Sequence, residues 1–153
     1  GVIGIYAAHF SGAENVTMID INPIAVEFAK KNAIYNNLDA INIFQSDGLH
    51  NVSQQDFDLI LSNPPYHADF HVPKSFIEDG FRHLKYGGSM VMVTKRYKWY
   101  HNKLTSVFGG VKVIEENSYY IFISQKRELH KTRIKNKQKL SKKLQRKYSR
   151  TQA

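Results

Sequence analysis

The sequence predicts an α/β fold built on a doubly wound parallel sheet that ends in an antiparallel hairpin. Three observations predict it. Short β-branched and aromatic runs of strand length recur at residues 16–20, 41–45, 57–61, 89–94 and 119–124. Helical patterns alternate with them, at 23–36 and 73–84, as a sheet with crossover helices requires. Leu59-Ile60-Leu61 and Met90-Val91-Met92-Val93 carry no polar alternation, which suits strands covered on both faces.

Taken in order, the helix at 23–36 opens on Pro23, whose fixed φ suits a first helical position, and sets Ala25, Phe28, Ala29 and Ala33 on one face. The helix at 73–84 is expected to close at Gly87-Gly88, which also launch the strand at 89–94. Lys95-Arg96-Tyr97-Lys98-Trp99-Tyr100 interleaves basic groups with rings, a pattern suited to RNA phosphates and unstacked bases. Its aromatic part also reads as the start of an amphipathic helix whose rings, Trp99 above all, pack on the sheet. Gly109-Gly110 precede a sixth strand at 111–114, and Asn117-Ser118 can turn it back into 119–124.

Composition narrows the classes. At 153 residues and 42% hydrophobic content, one domain with a core of its own is the expectation. No apolar run reaches the roughly 18 residues of a membrane span, and the N-terminus lacks a signal-peptide layout, so a cytoplasmic protein is expected. With no cysteine, disulfides, thiolate catalysis and cysteine-bound metal are excluded. The seven histidines form no metal pattern: His67 and His71 are four apart, but the neighbouring prolines work against a helical pairing and no acidic partner accompanies them. No metal is assigned. The net charge of +9 is uneven, since residues 126–153 hold 12 Lys/Arg and one acid, while residues 1–125 hold 10 basic and 12 acidic residues. A folded domain over 1–125 and a basic tail over 126–153, disordered or an exposed helix, is the expected organisation. Such a tail can add sequence-independent affinity for RNA through counterion release.

The chemistry is expected at the carboxyl ends of the strands, where open α/β sheets bind ligands. Asp20 ends the strand at 16–20, placed to accept from both hydroxyls of a ribose. Asp47, beside Gly48, follows the strand at 41–45 and can accept from an exocyclic amine of adenine. Each is equally explained as a turn or cap residue. Asn63-Pro64-Pro65-Tyr66 is more specific. Pro64 favours an extended Asn63, and neither proline has an N–H, so the loop presents carbonyl groups. An Asn63 side-chain oxygen and a Pro64 carbonyl that accept the two hydrogens of an aromatic amine would aim its lone pair at an electrophile, a catalysis by orientation without a strong base. Tyr66 offers a flat face for the ring. His67 reads as a pocket-lining residue, and Lys95 and Arg96 as contacts to the substrate.

Asp20, Asp47 and Ser62-Asn63-Pro64-Pro65-Tyr66, in this order on alternating strands and helices, resemble class I S-adenosylmethionine-dependent methyltransferases of amino groups. The motif alone leaves adenine N6, cytosine N4, guanine N2 and glutamine N5 open as targets. His67, Phe76-Ile77, the run His83 to Gly88, the Tyr97 to Tyr100 segment, Phe108-Gly109 and the closing Tyr119 strand are together similar to the bacterial ribosomal RNA guanine-N2 methyltransferases, over nearly all of residues 1–125. The resemblance implies S-adenosyl-L-methionine as cofactor, held by Gly1, Gly4, Asp20, Ile21, Asp47, Gly48 and Asn63. Asn63, Pro64, Pro65 and Tyr66 would do the catalysis, with Tyr66, His67, Lys95 and Arg96 on an RNA substrate. Members begin with a strand and a glycine-rich turn. Gly1-Val2-Ile3-Gly4 resembles the last glycine of that turn and the following helix, so the first strand is expected to be missing from the chain. The alternatives are a methyltransferase for nucleic-acid adenine N6 or protein glutamine, and a noncatalytic RNA-binding module.

Overall fold

A computed structural model describes residues 1–65 and 69–128. Helix α1 (Val2–Ser11) leads through a 3-10 turn at Ala13–Asn15 into strand β1 (Thr17–Asp20), followed by α2 (Pro23–Tyr35), β2 (Asn42–Gln45) and β3 (Phe57–Ser62). Then come α3 (His71–His83), β4 (Leu84–Thr94), α4 (Tyr97–Phe108), β5 (Lys112–Glu116) and β6 (Tyr119–Gln125). The α/β class, the alternation and all six strands agree with the sequence reading. No helix among the described residues is long and apolar enough to cross a membrane.

The strands form two hydrogen-bonded groups. β1 and β2 pair in parallel, Asp20 opposite Gln45. The other group runs β3-β4-β6-β5, with β3 and β4 parallel and the β4–β6 and β6–β5 pairs antiparallel. The hairpin turns at Asn117 and Ser118, at φ 49° and 64°. Two left-handed residues give the turn whose twist matches that of paired strands.

Each group has its own core. α2 buries Val26, Ala29 and Ala33, spaced for one helical stripe, against Met18, Ile41 and Ile43. Phe28, expected on that face, is instead 59% exposed. It lies off the stripe defined by 26, 29 and 33, and Lys31 sits over its ring at 5.5 Å. Asn22 caps α2 by accepting the Ile24 N–H at 2.9 Å, ahead of Pro23 in the first turn. In the larger core, Ile77 of α3, Leu104 of α4, Met90 and Met92 of β4 and Phe122 of β6 are all fully buried. Truncating a side chain such as Phe122 to Ala costs roughly 3–5 kcal/mol. The burial of β3 alternates, Ile60 facing this core while Leu59 and Leu61 are exposed. The unbroken apolar run therefore did not mean cover on both faces.

One boundary differs from the sequence reading. α3 ends at His83, with Leu84 already extended at φ −74° and ψ 141°, so Gly87-Gly88 do not close the helix. They lie within β4, where the pairing jumps from Phe57↔Leu84 to Leu59↔Ser89. Gly87 takes a left-handed φ of 85° within this bulge, a conformation that glycine adopts without strain. Gly88 needs to be small: an added Cβ would sit 2.7 Å from the Phe57 carbonyl oxygen.

Candidate functional site

The sequence-derived site residues fall into three groups. In the first, α1 lies directly over β1. Gly4 makes that approach possible, since a Cβ on it would be 2.5 Å from Met18 Cγ, so Gly4 serves helix-strand packing. Gly1, at the start of α1, lines a narrow cleft of about 30 Å³ with Met18, Ile19, Asp20, Ala25 and Val26. Asp20 is exposed at the end of β1. One carboxylate oxygen accepts the Asn22 N–H at 2.9 Å, and among the described residues the other has no partner. Ile21 is 62% exposed, and its carbonyl accepts from Gln45 Nε2 at 2.9 Å, which ties the ends of β1 and β2 together.

The second group is the turn after β2. Asp47 is exposed, and Gly48 takes the left-handed conformation at φ 58°. Sequence reasoning missed what shapes this turn. Ser46 is 2% exposed; its hydroxyl donates to the Gly48 carbonyl at 2.7 Å and accepts the Asn51 N–H at 3.3 Å. Its backbone N–H donates to the Asp20 carbonyl at 3.0 Å, which couples this turn to the end of β1. A serine directly before Asp-Gly was the available signal. His83 adds a brace from α3: Nδ1 lies 2.9 Å from the Asp79 carbonyl and Nε2 3.1 Å from the Val52 carbonyl.

The third group stands at the ends of β3 and β4. Ser62 pairs with Met92, so Asn63-Pro64-Pro65 leaves β3 beside the segment where β4 passes into Lys95-Arg96. Asn63 and Pro65 are exposed and Pro64 is half-buried. Among the described residues the Asn63 side chain has no hydrogen-bond partner. Tyr66 and His67 lie outside the described residues. Lys95 and Arg96 are exposed, with Lys95 Nζ 4.9 Å from the centre of the Tyr119 ring and the Arg96 guanidinium carbon 4.9 Å from that of Phe70. α4 is a twelve-residue helix of which only the aromatic start was anticipated. Trp99 packs on Phe70 and Tyr100, while Tyr97 reaches Tyr120 on β6. Burial pushes the Tyr100 phenol above its ordinary pKa, opposed by the charge of Arg96.

Exposed polar side chains at strand ends, with a glycine-opened helix packed on the first strand, are the layout of Rossmann-like ligand-binding domains. Comparison with known proteins gives the family: over residues 1–124 the chain belongs to the methyltransferase small domain family. It is 36% identical over 124 residues to the ribosomal RNA small subunit methyltransferase C of Hahella chejuensis, covering 78% of this chain and 36% of that protein. It is 34% identical over 131 residues to the uncharacterized protein YbxB of Bacillus subtilis, covering 83% of this chain and 65% of that one. The chain thus spans about a third of the length of the first relative. Among solved structures, a 16S rRNA N2 guanine methyltransferase of Thermus thermophilus, in complex with AdoMet and guanosine, superposes with a TM-score of 0.68 at 23% identity, covering 73% of this chain and 31% of that one. TrmN of Thermus thermophilus superposes with a TM-score of 0.71 at 24% identity, covering 82% and 41%. These likenesses support the Rossmann-like methyltransferase fold.

Proposed function

We propose that the chain carries the catalytic part of an enzyme that moves the methyl group of S-adenosyl-L-methionine to the exocyclic amine of an RNA base, the N2 of a guanine in ribosomal RNA. The observation that carries this reading is Asn63: an exposed amide at the end of β3, with no partner among the described residues, followed by two residues that offer carbonyls and no N–H. Family membership and the kinship with ribosomal RNA methyltransferases support it. An adenine or protein glutamine acceptor would use the same amide, and the basic composition of 126–153 favours nucleic acid over protein. That tail lies, beyond residue 128, outside the described residues. We assign the protein to the cytoplasm, where such RNA is found.

The residues present fit the cofactor. Asp20 has a free carboxylate oxygen beside the cleft that Gly1 lines, suited to a ribose hydroxyl, and Ile21 supplies apolar surface next to it. Asp47 offers a second exposed carboxylate, without a side-chain partner among the described residues, on the turn that Ser46 shapes, suited to an adenine amine. When bound, the cofactor supplies an electrophilic methyl group on a sulfonium. The Asn63 amide oxygen and the Pro64 carbonyl would accept the two N–H groups of the target amine and so orient its lone pair for transfer. Transfer of that methyl group to the amine would leave the carbon–sulfur electron pair on sulfur and release one amine proton to solvent, so the chain itself would need only to orient the amine. Tyr66 stacks the base, which must stand out of its helix to reach the loop. His67, Lys95 and Arg96 are assigned to contact with the RNA substrate.

Asn63→Ala in the full chain tests the assignment. Methyl transfer to ribosomal RNA is expected to fall about 100-fold or more, the usual cost of removing one positioned polar group, with cofactor affinity kept. An N63A protein that still modifies guanine at the original rate would overturn the role of Asn63.

A further inference from the structure

Three side chains meet where the parallel strands of the larger sheet end. Phe70 lies with its ring centre 4.7 Å from that of Trp99 at an interplanar angle of 25°. The Arg96 guanidinium carbon lies 4.9 Å from the centre of the same Phe70 ring. Phe70 is the residue before α3 and Arg96 the residue before α4, so these contacts join the loop leaving β3 to the loop leaving β4. Ser62↔Met92 is the last pair between these strands. The stack therefore borders the Asn63 loop.

Arg96 is held without being neutralised. Its backbone N–H donates to Thr94 Oγ1 at 3.2 Å, but among the described residues no carboxylate pairs with its guanidinium, and no acidic residue stands in the first turn of α4. The side chain is exposed. A guanidinium laid on a ring uses its flat face, which leaves the N–H donors in its plane open for two parallel hydrogen bonds. Phosphate oxygens accept that fork, whereas a lysine in the same place would offer only a point charge.

We propose that Phe70, backed by Trp99, is a positioning residue that holds the Arg96 guanidinium edge outward to grip a phosphodiester group of the RNA strand beside the target nucleotide. This rests on the RNA reading above. A free arginine on a loop would have to be ordered when the strand binds. Here the ring contacts order it beforehand, so Phe70 contributes to RNA affinity without touching RNA.

The test is the salt dependence of binding to a short single-stranded oligoribonucleotide containing guanine, for the unaltered chain, F70L, R96Q and the F70L/R96Q double variant, with the fold of each checked by circular dichroism. R96Q is expected to weaken binding about 10-fold, as for the loss of a charge-assisted hydrogen bond, and to lower the slope of log K against log salt by about 0.7, one phosphate contact on a single strand. F70L, which keeps the charge, should lower both in the same direction and add nothing in the R96Q background. F70Y, which keeps the ring, should bind as the unaltered chain does. R96K, which leaves Phe70 and Trp99 in place, should weaken binding through loss of the fork. Unchanged affinity and slope in F70L, a full additional loss in the double variant, or unchanged affinity in R96K overturns the positioning role and leaves the RNA reading standing. Failure of the unaltered chain to bind the oligoribonucleotide overturns the RNA reading and this inference with it.

Discussion

Lys103 of α4 donates to Glu78 of α3, an ion pair that fastens the two helices covering the larger core. The Lys103 side chain is only 18% exposed, which sets this pair apart from the open Lys31–Glu27 pair on α2. The hydrogen bond from Lys103 holds the Glu78 carboxyl below its ordinary pKa, partly opposed by burial. A depressed carboxyl stabilises the fold above its unfolded pKa, and that contribution is lost as pH falls through the folded one. Melting temperature should therefore drop on acidification below the ordinary carboxylate value of 4.5, and E78Q should show a shallower drop. Superimposable acid limbs for the two proteins would remove Glu78 as a contributor.

The bulge in β4 separates two adjacent glycines by mechanism. A Cβ on Gly88 meets the backbone oxygens of Phe57 at 2.7 Å and Lys85 at 3.0 Å, whereas one on Gly87 meets nothing within 4 Å. G88A should cost about 1–3 kcal/mol by overpacking, measured by urea unfolding. G87A should cost about 1 kcal/mol, from its positive φ alone. Equal losses in the two variants would mean that strand-edge crowding is not what requires Gly88.

His83 offers a different kind of check. A neutral imidazole has one N–H, yet both ring nitrogens face carbonyl oxygens, of Asp79 and Val52. H83A removes both contacts and leaves the Val52 carbonyl without its partner, at a cost of about 1–3 kcal/mol. Because Val52 ends the segment that begins with Ser46 and Asp47, amide exchange across 48–52 should quicken in H83A. Exchange confined to the end of α3 would show that the brace does not reach the turn.

Much of this was legible in the sequence because local chemistry and global fold agree. β-branched runs gave the strands, Pro23 the start of α2, and Asn117-Ser118 a turn between antiparallel partners. The strand-end residues Asp20, Asp47 and Asn63 could be picked out because open α/β sheets bind ligands at the carboxyl ends of their strands, although Asp20 also serves its own turn by accepting the Asn22 N–H. What escaped depends on partners distant in sequence. Gly87-Gly88 follow a helix, as a cap would, and only pairing with Phe57 and Leu59 makes them a bulge. α4 starts with Tyr97, Trp99 and Tyr100, weak helix formers; the burial of Tyr100 against Phe122 and the contact of Tyr97 with Tyr120 decide the matter. Phe28 looked like core by hydrophobicity, but Val26 takes the inward position. Phe70 gave no sign by itself, since its meaning comes from Arg96 and Trp99, more than twenty residues later.

The turn at Asn117 and Ser118 also bears on the order of assembly. β5 and β6 are joined by two residues, so closing that hairpin costs little chain entropy, whereas pairing β3 with β4 must first bring together segments separated by the whole of α3. Once formed, β6 presents a free edge on which β4 can align through Met90↔Ser124 and Met92↔Phe122. We infer that the antiparallel end acts as the template and the parallel pair follows. S118G, which relieves the left-handed strain, should then speed folding and leave the unfolding rate nearly unchanged; a gain appearing only as slower unfolding would reverse the order. The end of the sheet farthest from the strand carrying Asn63 would thus set how fast that strand finds its place.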